Sequence, residues 1–122
     1  MKILTIFIFI LSPILAQDFE NVQVLPFDTK KEMMAYMKKT VSKSLDVKCK
    51  FCHDMKDYGD DSNPHKLVAR EMMRMVISMN THLDSAFSVG LKAGMKQEYN
   101  HHKVDCWSCH KSNTEVDFKK PD

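Results

Sequence analysis

Apolar side chains recur at three- and four-residue spacing in two stretches of the chain. In the first stretch they are Met34, Met37, Val41 and Leu45. In the second they are Val68, Met72, Met75, Val76, Met79 and Leu83. This spacing places them on one face of a helix, so we predict a helix of about four turns over 30–45 and a longer one over 64–83 with that face buried. No segment alternates apolar and polar residues as a strand does, so we expect an all-α fold.

Residues that favour helix ends surround both predicted helices. Thr29 and Glu32 fit a capping box, in which their side chains bind free backbone N–H groups at a helix start. Asn63 and Pro64 suit the cap and the first position of the second helix. Gly90 and Gly94 interrupt the chain after the second helix, and 95–102 is predicted to form a short third helix.

The remaining segments are predicted to be irregular. Residues 17–27 are expected to form an extended lead-in, and the main domain to cover 28–111. The segment after His53 is polar and acidic, so Asp57, Asp60 and Asp61 are predicted to lie in a solvated loop, with docking of a basic partner as the alternative. The polar residues 112–122 are expected to form a loose tail.

The first 16 residues have the pattern of a signal peptide. Lys2 precedes an apolar run from Ile3 to Leu11, and Ala16 offers a small residue before the cut at Gln17. A membrane anchor is the alternative, but the run is shorter than the roughly 20 residues that a spanning helix needs. We therefore expect export, a periplasmic or other extracytoplasmic location, and a mature chain of 106 residues.

The composition excludes some functions. The net charge of +2 is too small to indicate nucleic acid as a partner. Ten methionines against three glycines suit a helical protein that uses soft, polarizable side chains. The four cysteines fall into two close pairs, and this arrangement indicates the chemistry.

Both cysteine pairs are part of a C-x-x-C-H motif. The motifs are Cys49–His53 and Cys106–His110, and this pattern is the signature of covalent c-type haem attachment. Two thiols three positions apart lie on one side of a helical turn and can add to the two vinyl groups of one porphyrin. The histidine after each pair is then carried under the ring, where it binds iron. The sequence predicts two covalently attached haem c groups.

Other uses of the cysteines fit the sequence less well. A zinc site of two C-x-x-C pairs usually separates them by about 15–20 residues, and Cys52 and Cys106 lie much further apart. A redox-active dithiol would require a thioredoxin-like βαβ setting, and no strand is predicted. Two disulfides are compatible with an exported protein, but they give no reason for a histidine after each pair.

Three segments resemble the cytochrome subunit of photosynthetic reaction centres and its two-haem relatives. They are the run from Met37 to His53, the K-x-x-A-R-x-M-x-x-M…N pattern from Lys66 to Asn80, and the run from Val104 to His110. The resemblance covers roughly 22–80 and 104–111. It implies a small multi-helix c-type cytochrome domain organised around two haems. Four haems are usual in the reaction-centre subunit, so the two motifs here match one half of it.

The resemblance also implies the second ligand of each iron. Met37 would face His53 across the first haem, and Met72 would face His110 across the second, with Met34 and Met75 as the respective fallbacks. In the family a histidine on the second helix binds another haem, but Ala86 stands at that position here. His101 and His102, just before the second motif, are alternative ligands, whereas His65 and His82 are expected at the surface.

A few other side chains are candidates for contacts with the haems. Lys66 and Arg70 suit pairing with haem propionates, and ordinary exposed salt bridges are the alternative. Trp107, inside the second motif, is expected to pack on a porphyrin edge.

We expect the chain to be an electron carrier and not an enzyme, because two axial ligands close both faces of an iron and exclude substrate. Its expected partners are a redox donor, a redox acceptor and a membrane complex. The alternatives are a haem peroxidase or small-ligand sensor with an open site, and a haem-bearing subunit of a larger respiratory or photosynthetic complex.

Overall fold

The structure, a computed structural model, describes residues 21–94 and 103–117. The predicted signal peptide, the predicted helix over 95–102 with His101 and His102, and the end of the tail lie outside these ranges. Within them the chain forms α-helices and no strand, in agreement with an all-α fold. The helices are α1 (Lys30–Tyr36), α2 (Ser42–Leu45), α3 (Pro64–Lys92) and α4 (Cys106–His110).

The first predicted helix forms, with a widened turn in its middle. A π-helical turn, Met37–Val41, joins α1 to α2, and the amide of Ser42 donates to the carbonyl oxygen of Met37 across it. At the start of α1, the Thr29 hydroxyl oxygen accepts a hydrogen bond from the Glu32 amide at 3.2 Å, and the hydroxyl group donates one to the Glu32 carboxylate. One of the two predicted capping-box hydrogen bonds therefore forms. The other does not, because the Glu32 carboxylate binds the hydroxyl group and not the backbone amide of Thr29. The helix ends at Asp46, whose φ of 52° is left-handed, a conformation that aspartate tolerates.

The second predicted helix begins where expected and is longer than predicted. The side chain of Asn63 accepts from the amide of His65 at 3.0 Å, with Pro64 in the first turn. The helix continues through Gly90 to Lys92, because one glycine in a helix costs only about 1 kcal/mol. The interruption comes at Gly94, whose φ of 93° is the left-handed conformation that glycine adopts after a helix.

The apolar face of α3 is not buried, contrary to the prediction. Its members Val68, Met72, Met75 and Met79 are all more than 40% exposed. Within the described residues α3 packs closely against none of the other helices, and these four side chains stay largely exposed. None of the described helices is long and apolar enough to cross a membrane.

Among the described residues, α4 packs closely against α2 and the π turn, although it is distant from them in the sequence. Val41 is the buried apolar side chain of this part of the chain, and Ser44, which is 3% exposed, lies on the same helical segment. The amide of Ser112 donates to the Ser44 carbonyl at 2.9 Å, so the first residue assigned to the loose tail is fixed on α2. The fold therefore joins the second C-x-x-C-H motif to the first helix.

Candidate haem sites

The first motif lies in a tight turn within the connection between α2 and α3. A 3-10 turn spans Cys49–Phe51, and the amides of Cys52 and His53 both donate to the Cys49 carbonyl, at 3.2 and 2.9 Å. The Asn63 side-chain amide donates to the Phe51 carbonyl at 3.0 Å. The same residue thus caps α3 and ties the first motif to its start.

The second motif is itself a short helix, α4, with a complete capping box. The Asp105 carboxylate accepts from the Ser108 amide at 2.9 Å, and the Ser108 hydroxyl oxygen accepts from the Asp105 amide at 3.1 Å. The sequence analysis missed this pair. The signal was present in the spacing, because Asp105 and Ser108 stand three positions apart, as the two members of a capping box do.

Both motif histidines have the same hydrogen bond. His53 Nδ1 lies 3.3 Å from the carbonyl oxygen of Tyr58, and His110 Nδ1 lies 2.9 Å from that of Asn113. A carbonyl only accepts, so each ring carries a proton on Nδ1, and in the neutral ring the Nε2 lone pair is then free. Metal-binding histidines in proteins usually have this arrangement. The hydrogen bonds therefore favour the neutral tautomer that binds iron through Nε2.

The surroundings also keep His53 uncharged. Burial lowers the pKa of His53, and the positive charges of Lys66 and Arg70 act in the same direction, against the opposing hydrogen bond to Tyr58. Only a neutral imidazole can coordinate a metal. The ring is therefore ready to bind iron at neutral pH.

Asn80 fixes the approach to the second motif. Its side-chain amide donates to the Val104 carbonyl at 2.8 Å, and its side-chain oxygen accepts from the Val104 amide at 2.9 Å. This pair of hydrogen bonds joins the middle of α3 to the backbone two residues before Cys106. Asn80 therefore does for the second motif what Asn63 does for the first.

The four cysteines are free thiols in the structure. Burial raises the pKa of Cys52 and that of Cys106, which favours the protonated thiol at both positions. Burial, together with the neighbouring Cys106, also raises the pKa of Tyr36 to about 12. Among the described residues no three His, Cys, Asp or Glu side chains converge as a metal site of their own.

The candidate methionine ligands lie on different elements. Met37 is half-buried and opens the π turn, next to Tyr36. Met72 is 44% exposed and lines an open groove on α3 together with Met75, its fallback. Met34, the fallback for Met37, is half-buried on α1. The sequence did not predict that Met37 lies in a π turn. Such turns occur frequently at functional sites.

The acidic segment after the first motif is a largely exposed loop, as predicted, and Asp61 at its end is held by two cations. Asp61 lies 3.0 Å from the Lys66 ammonium and 2.9 Å from the Arg70 guanidinium. Hydrogen bonds from Arg70, Asn21 and Lys66 hold the pKa of Asp61 well below its usual range. The two cations thus form salt bridges, one of the two predicted alternatives, although their own side chains are largely buried. Lys66 and Arg70 face the loop from the first turns of α3.

The other loop aspartates shape the backbone, and the remaining candidates lie at the surface. Asp57 accepts from the Gly59 amide at 2.8 Å and Asp60 from the Ser62 amide at 2.7 Å. His65 and His82 are exposed, as predicted. Trp107 is 50% exposed on α4.

The described residues fit the attachment of haem. Each motif presents two thiols on one turn and a histidine with a free Nε2. This part of the polypeptide buries a single apolar side chain, Val41, and leaves large apolar side chains of α3 and α4 exposed. Two porphyrins would cover such surface and supply the missing core.

Comparison with known proteins gives concordant matches. The family model described as photosynthetic reaction centre cytochrome C subunit matches residues 12–117. Cytochrome c-554 of Chloroflexus aurantiacus is 33% identical over 90 residues, which cover 74% of this chain and 20% of the relative. The photosynthetic reaction center cytochrome c subunit of Roseobacter denitrificans is 31% identical over 104 residues, or 80% of this chain and 25% of the relative.

The chain spans a fifth to a quarter of the length of these relatives. Neither relative is named as an enzyme, in line with the prediction for this chain. No solved structure matches the chain significantly.

Proposed function

The chain belongs to the family of the photosynthetic reaction centre cytochrome c subunit, and from this membership we propose that it carries electrons through two covalently attached haems. Cys49 and Cys52 would hold the first haem, and Cys106 and Cys109 the second. His53 and His110 would bind the irons through Nε2. When bound, each haem supplies an iron that takes up and releases one electron.

The observation that carries this proposal is the repetition of one local geometry. Both motifs place their thiols on a single turn and hold the histidine by a hydrogen bond from Nδ1 to a backbone carbonyl within five residues. Structural disulfides, or a zinc site made of the four cysteines alone, would not use either histidine. The common arrangement is therefore best explained by one cofactor bound twice.

Met37 and Met72 are the proposed second ligands, to the first and second haem respectively. Support comes from the positions of the two residues, one at the start of a π turn and the other on an uncovered apolar face. Histidine and methionine together raise the potential of a haem iron and leave no free coordination site. Such irons suit electron transfer and exclude the peroxidase and sensor alternatives.

The haem content of the purified protein tests the proposal. The chain is produced in a host that matures c-type cytochromes, and the pyridine haemochrome assay is compared with the intact mass. We expect two haems per chain, resistant to acid acetone, on a polypeptide that has lost residues 1–16. A chain with no covalent haem would overturn the proposal.

Paired variants assign the two sites. Cys49→Ala with Cys52→Ala should leave one haem, and so should Cys106→Ala with Cys109→Ala. His82→Ala serves as the control, because His82 is exposed on α3 and its ring is hydrogen-bonded to the Ser78 carbonyl of the same helix, at 2.8 Å. This variant should retain both haems.

We further propose that the protein works outside the cytoplasm, with a redox protein donor and acceptor. The signal-peptide pattern of the first 16 residues and the requirement of c-type haem for an exported chain support this location. Cell fractionation followed by haem staining of gels tests it. A haem-bearing band in the periplasmic fraction is expected, and a band confined to the cytoplasm would contradict the location.

A second candidate function is that of a haem-bearing subunit in a larger complex. The name of the Roseobacter denitrificans relative, a reaction center subunit, favours it. Native gels of periplasm and of solubilised membranes distinguish the two roles. A free carrier migrates alone in the periplasm, whereas a subunit migrates with a large membrane complex.

A further inference from the structure

Lys66 is the buried charged side chain of the described chain, at 7% exposure. Lysine is almost never buried unless it is paired. Its ammonium lies 2.9 Å from the Tyr58 carbonyl, 2.6 Å from the Asp60 carbonyl and 3.0 Å from the Asp61 carboxylate. The three N–H donors of the lysine thus all have partners in the loop after the first motif.

One of these partners also holds the first motif histidine. The Tyr58 carbonyl oxygen accepts from the Lys66 ammonium and lies 3.3 Å from His53 Nδ1. A carbonyl oxygen has two lone pairs and can serve both donors. Lys66 and His53 are therefore linked through a single oxygen atom.

We propose that Lys66 is a positioning residue for His53, which fixes the Tyr58 carbonyl and raises the reduction potential of the first haem. This inference rests on the proposed binding of that haem by His53. The outer partners of a metal-binding histidine set its orientation and its basicity. By donating to the Tyr58 carbonyl, the ammonium withdraws electron density from the oxygen that accepts the hydrogen bond of His53. The oxygen becomes a weaker acceptor, so the imidazole ring stays less electron-rich and donates less electron density to the iron.

The charge of Lys66 acts in the same direction. A nearby positive charge disfavours the ferric state, which has one more positive charge than the ferrous state, and burial weakens the screening of that effect by water. Asp61 pairs with both Lys66 and Arg70, so the group of three keeps one net positive charge. Neither Asp61 nor Arg70 donates to the Tyr58 carbonyl. Lys66 is therefore the cation that acts on His53 through a hydrogen bond.

The second motif lacks this arrangement. His110 Nδ1 is bonded to the Asn113 carbonyl, and among the described residues no lysine or arginine donates to that oxygen. The effect should therefore be confined to one haem. The unaffected haem serves as an internal reference within the same molecule.

Potentiometric titration of the holoprotein tests the proposal. Lys66→Met removes the charge and the hydrogen bonds while keeping an unbranched chain. We expect one of the two midpoint potentials to fall and the other to stay. The expected fall corresponds to a threefold to tenfold change in the ferrous-to-ferric ratio, or about 30–60 mV at about 59 mV per tenfold for a one-electron couple. Lys66→Arg, which keeps the charge, should leave the potential of the first haem close to that of the parent protein.

Two further variants make the test decisive. Lys92→Met, at an exposed position on the same helix, should change neither potential. Lys66→Gln is neutral but can still donate to the Tyr58 carbonyl, so it should fold even if Lys66→Met does not. Because the charge is lost, it should still lower the reduction potential of the first haem.

The outcomes separate this inference from the proposed function. If Lys66→Met and Lys66→Gln lower the melting temperature but leave both potentials unchanged, Lys66 is only structural and the inference is wrong. If the unmodified protein carries no haem at the first motif, the proposed function fails first, before any variant is compared.

Discussion

The Nδ1 atom of His110 lies 2.9 Å from the carbonyl oxygen of Asn113, three residues further along the chain. The backbone after α4 makes this contact because Lys111 and Ser112 both adopt left-handed conformations, with φ of 48° and 66°. The chain thereby turns back beneath the histidine, and the Ser112 amide reaches Ser44 on α2. The orientation of His110 thus depends on the packing of α4 against the first helix.

Met72→Ala is predicted to open the second iron. Met72 is 44% exposed in the polypeptide, so its loss should cost little packing, and both haems should remain attached. The affected haem should bind carbon monoxide, and its potential should fall by at least about 59 mV, a tenfold change in a one-electron equilibrium. Absorption spectra with carbon monoxide and a redox titration measure these effects.

Met73→Ala is the control for this variant. Met73 is half-buried and faces another side of α3, so its loss should affect stability more than ligation. If Met72→Ala lowers the melting temperature while the ferrous protein still fails to bind carbon monoxide, Met72 is a packing residue. Met75, on the same groove, then becomes the better ligand.

Met37→Ala is predicted to have the same effect on the first iron. The carbonyl of Met37 closes the π turn by accepting from Ser42, and the alanine backbone can still do so. The helix should therefore persist, as measured by circular dichroism, while one iron becomes accessible to carbon monoxide. Met33→Ala, one turn earlier, is the control; carbon monoxide binding by both variants or by neither would contradict the assignment.

Asn80→Ala is predicted to loosen the second motif. It removes two hydrogen bonds to the Val104 backbone and leaves that amide and carbonyl without their partner. The free energy of unfolding should fall by about 2 kcal/mol, and haem attachment at Cys106 and Cys109 should become less complete. Chemical denaturation and intact mass measure the two effects.

Thr81→Ala provides the comparison for Asn80. Its hydroxyl donates to the Ile77 carbonyl of the same helix, at 3.0 Å. This variant should change stability by less than about 0.5 kcal/mol and carry two haems. If Asn80→Ala behaves like Thr81→Ala, the bond to Val104 does not position the second motif.

Asp61→Asn is predicted to lower stability in a pH-dependent way. Hydrogen bonds from Arg70, Asn21 and Lys66 lower the folded-state pKa of Asp61 below its ordinary value of 3.8. A depressed pKa contributes stability above the unfolded value, and this contribution is lost as the pH falls through the folded value. The melting temperature of the variant should therefore be lower than that of the parent at pH 7, and the difference should shrink below about pH 4.

Asp57→Asn is the matched loop variant, because an asparagine can still accept from the Gly59 amide. It should change the melting temperature little at pH 7. A difference between Asp61→Asn and the parent that stays constant from pH 7 to pH 3 would show that the charge of Asp61 has no part in stability.

The sequence predicted features that depend on neighbouring residues and missed those that depend on distant ones. The starts of α1 and α3 were predicted correctly because Thr29, Asn63 and Pro64 act within one turn. The bonds from Asn80 to Val104 and from Lys66 to Tyr58 join residues that no local pattern relates. The apolar face of α3 was predicted to be buried because periodicity shows which residues share a face, but not whether the polypeptide covers it.

The most direct test of the central claim is the absorption spectrum of the purified ferrous protein before and after carbon monoxide is added. Two haems, each held between a histidine and a methionine, have no free coordination site. The account therefore predicts a spectrum with two covalent haems per chain that carbon monoxide leaves unchanged. A carbon monoxide complex at either iron of the unmodified protein would contradict the claim and favour a ligand-binding or peroxidase function.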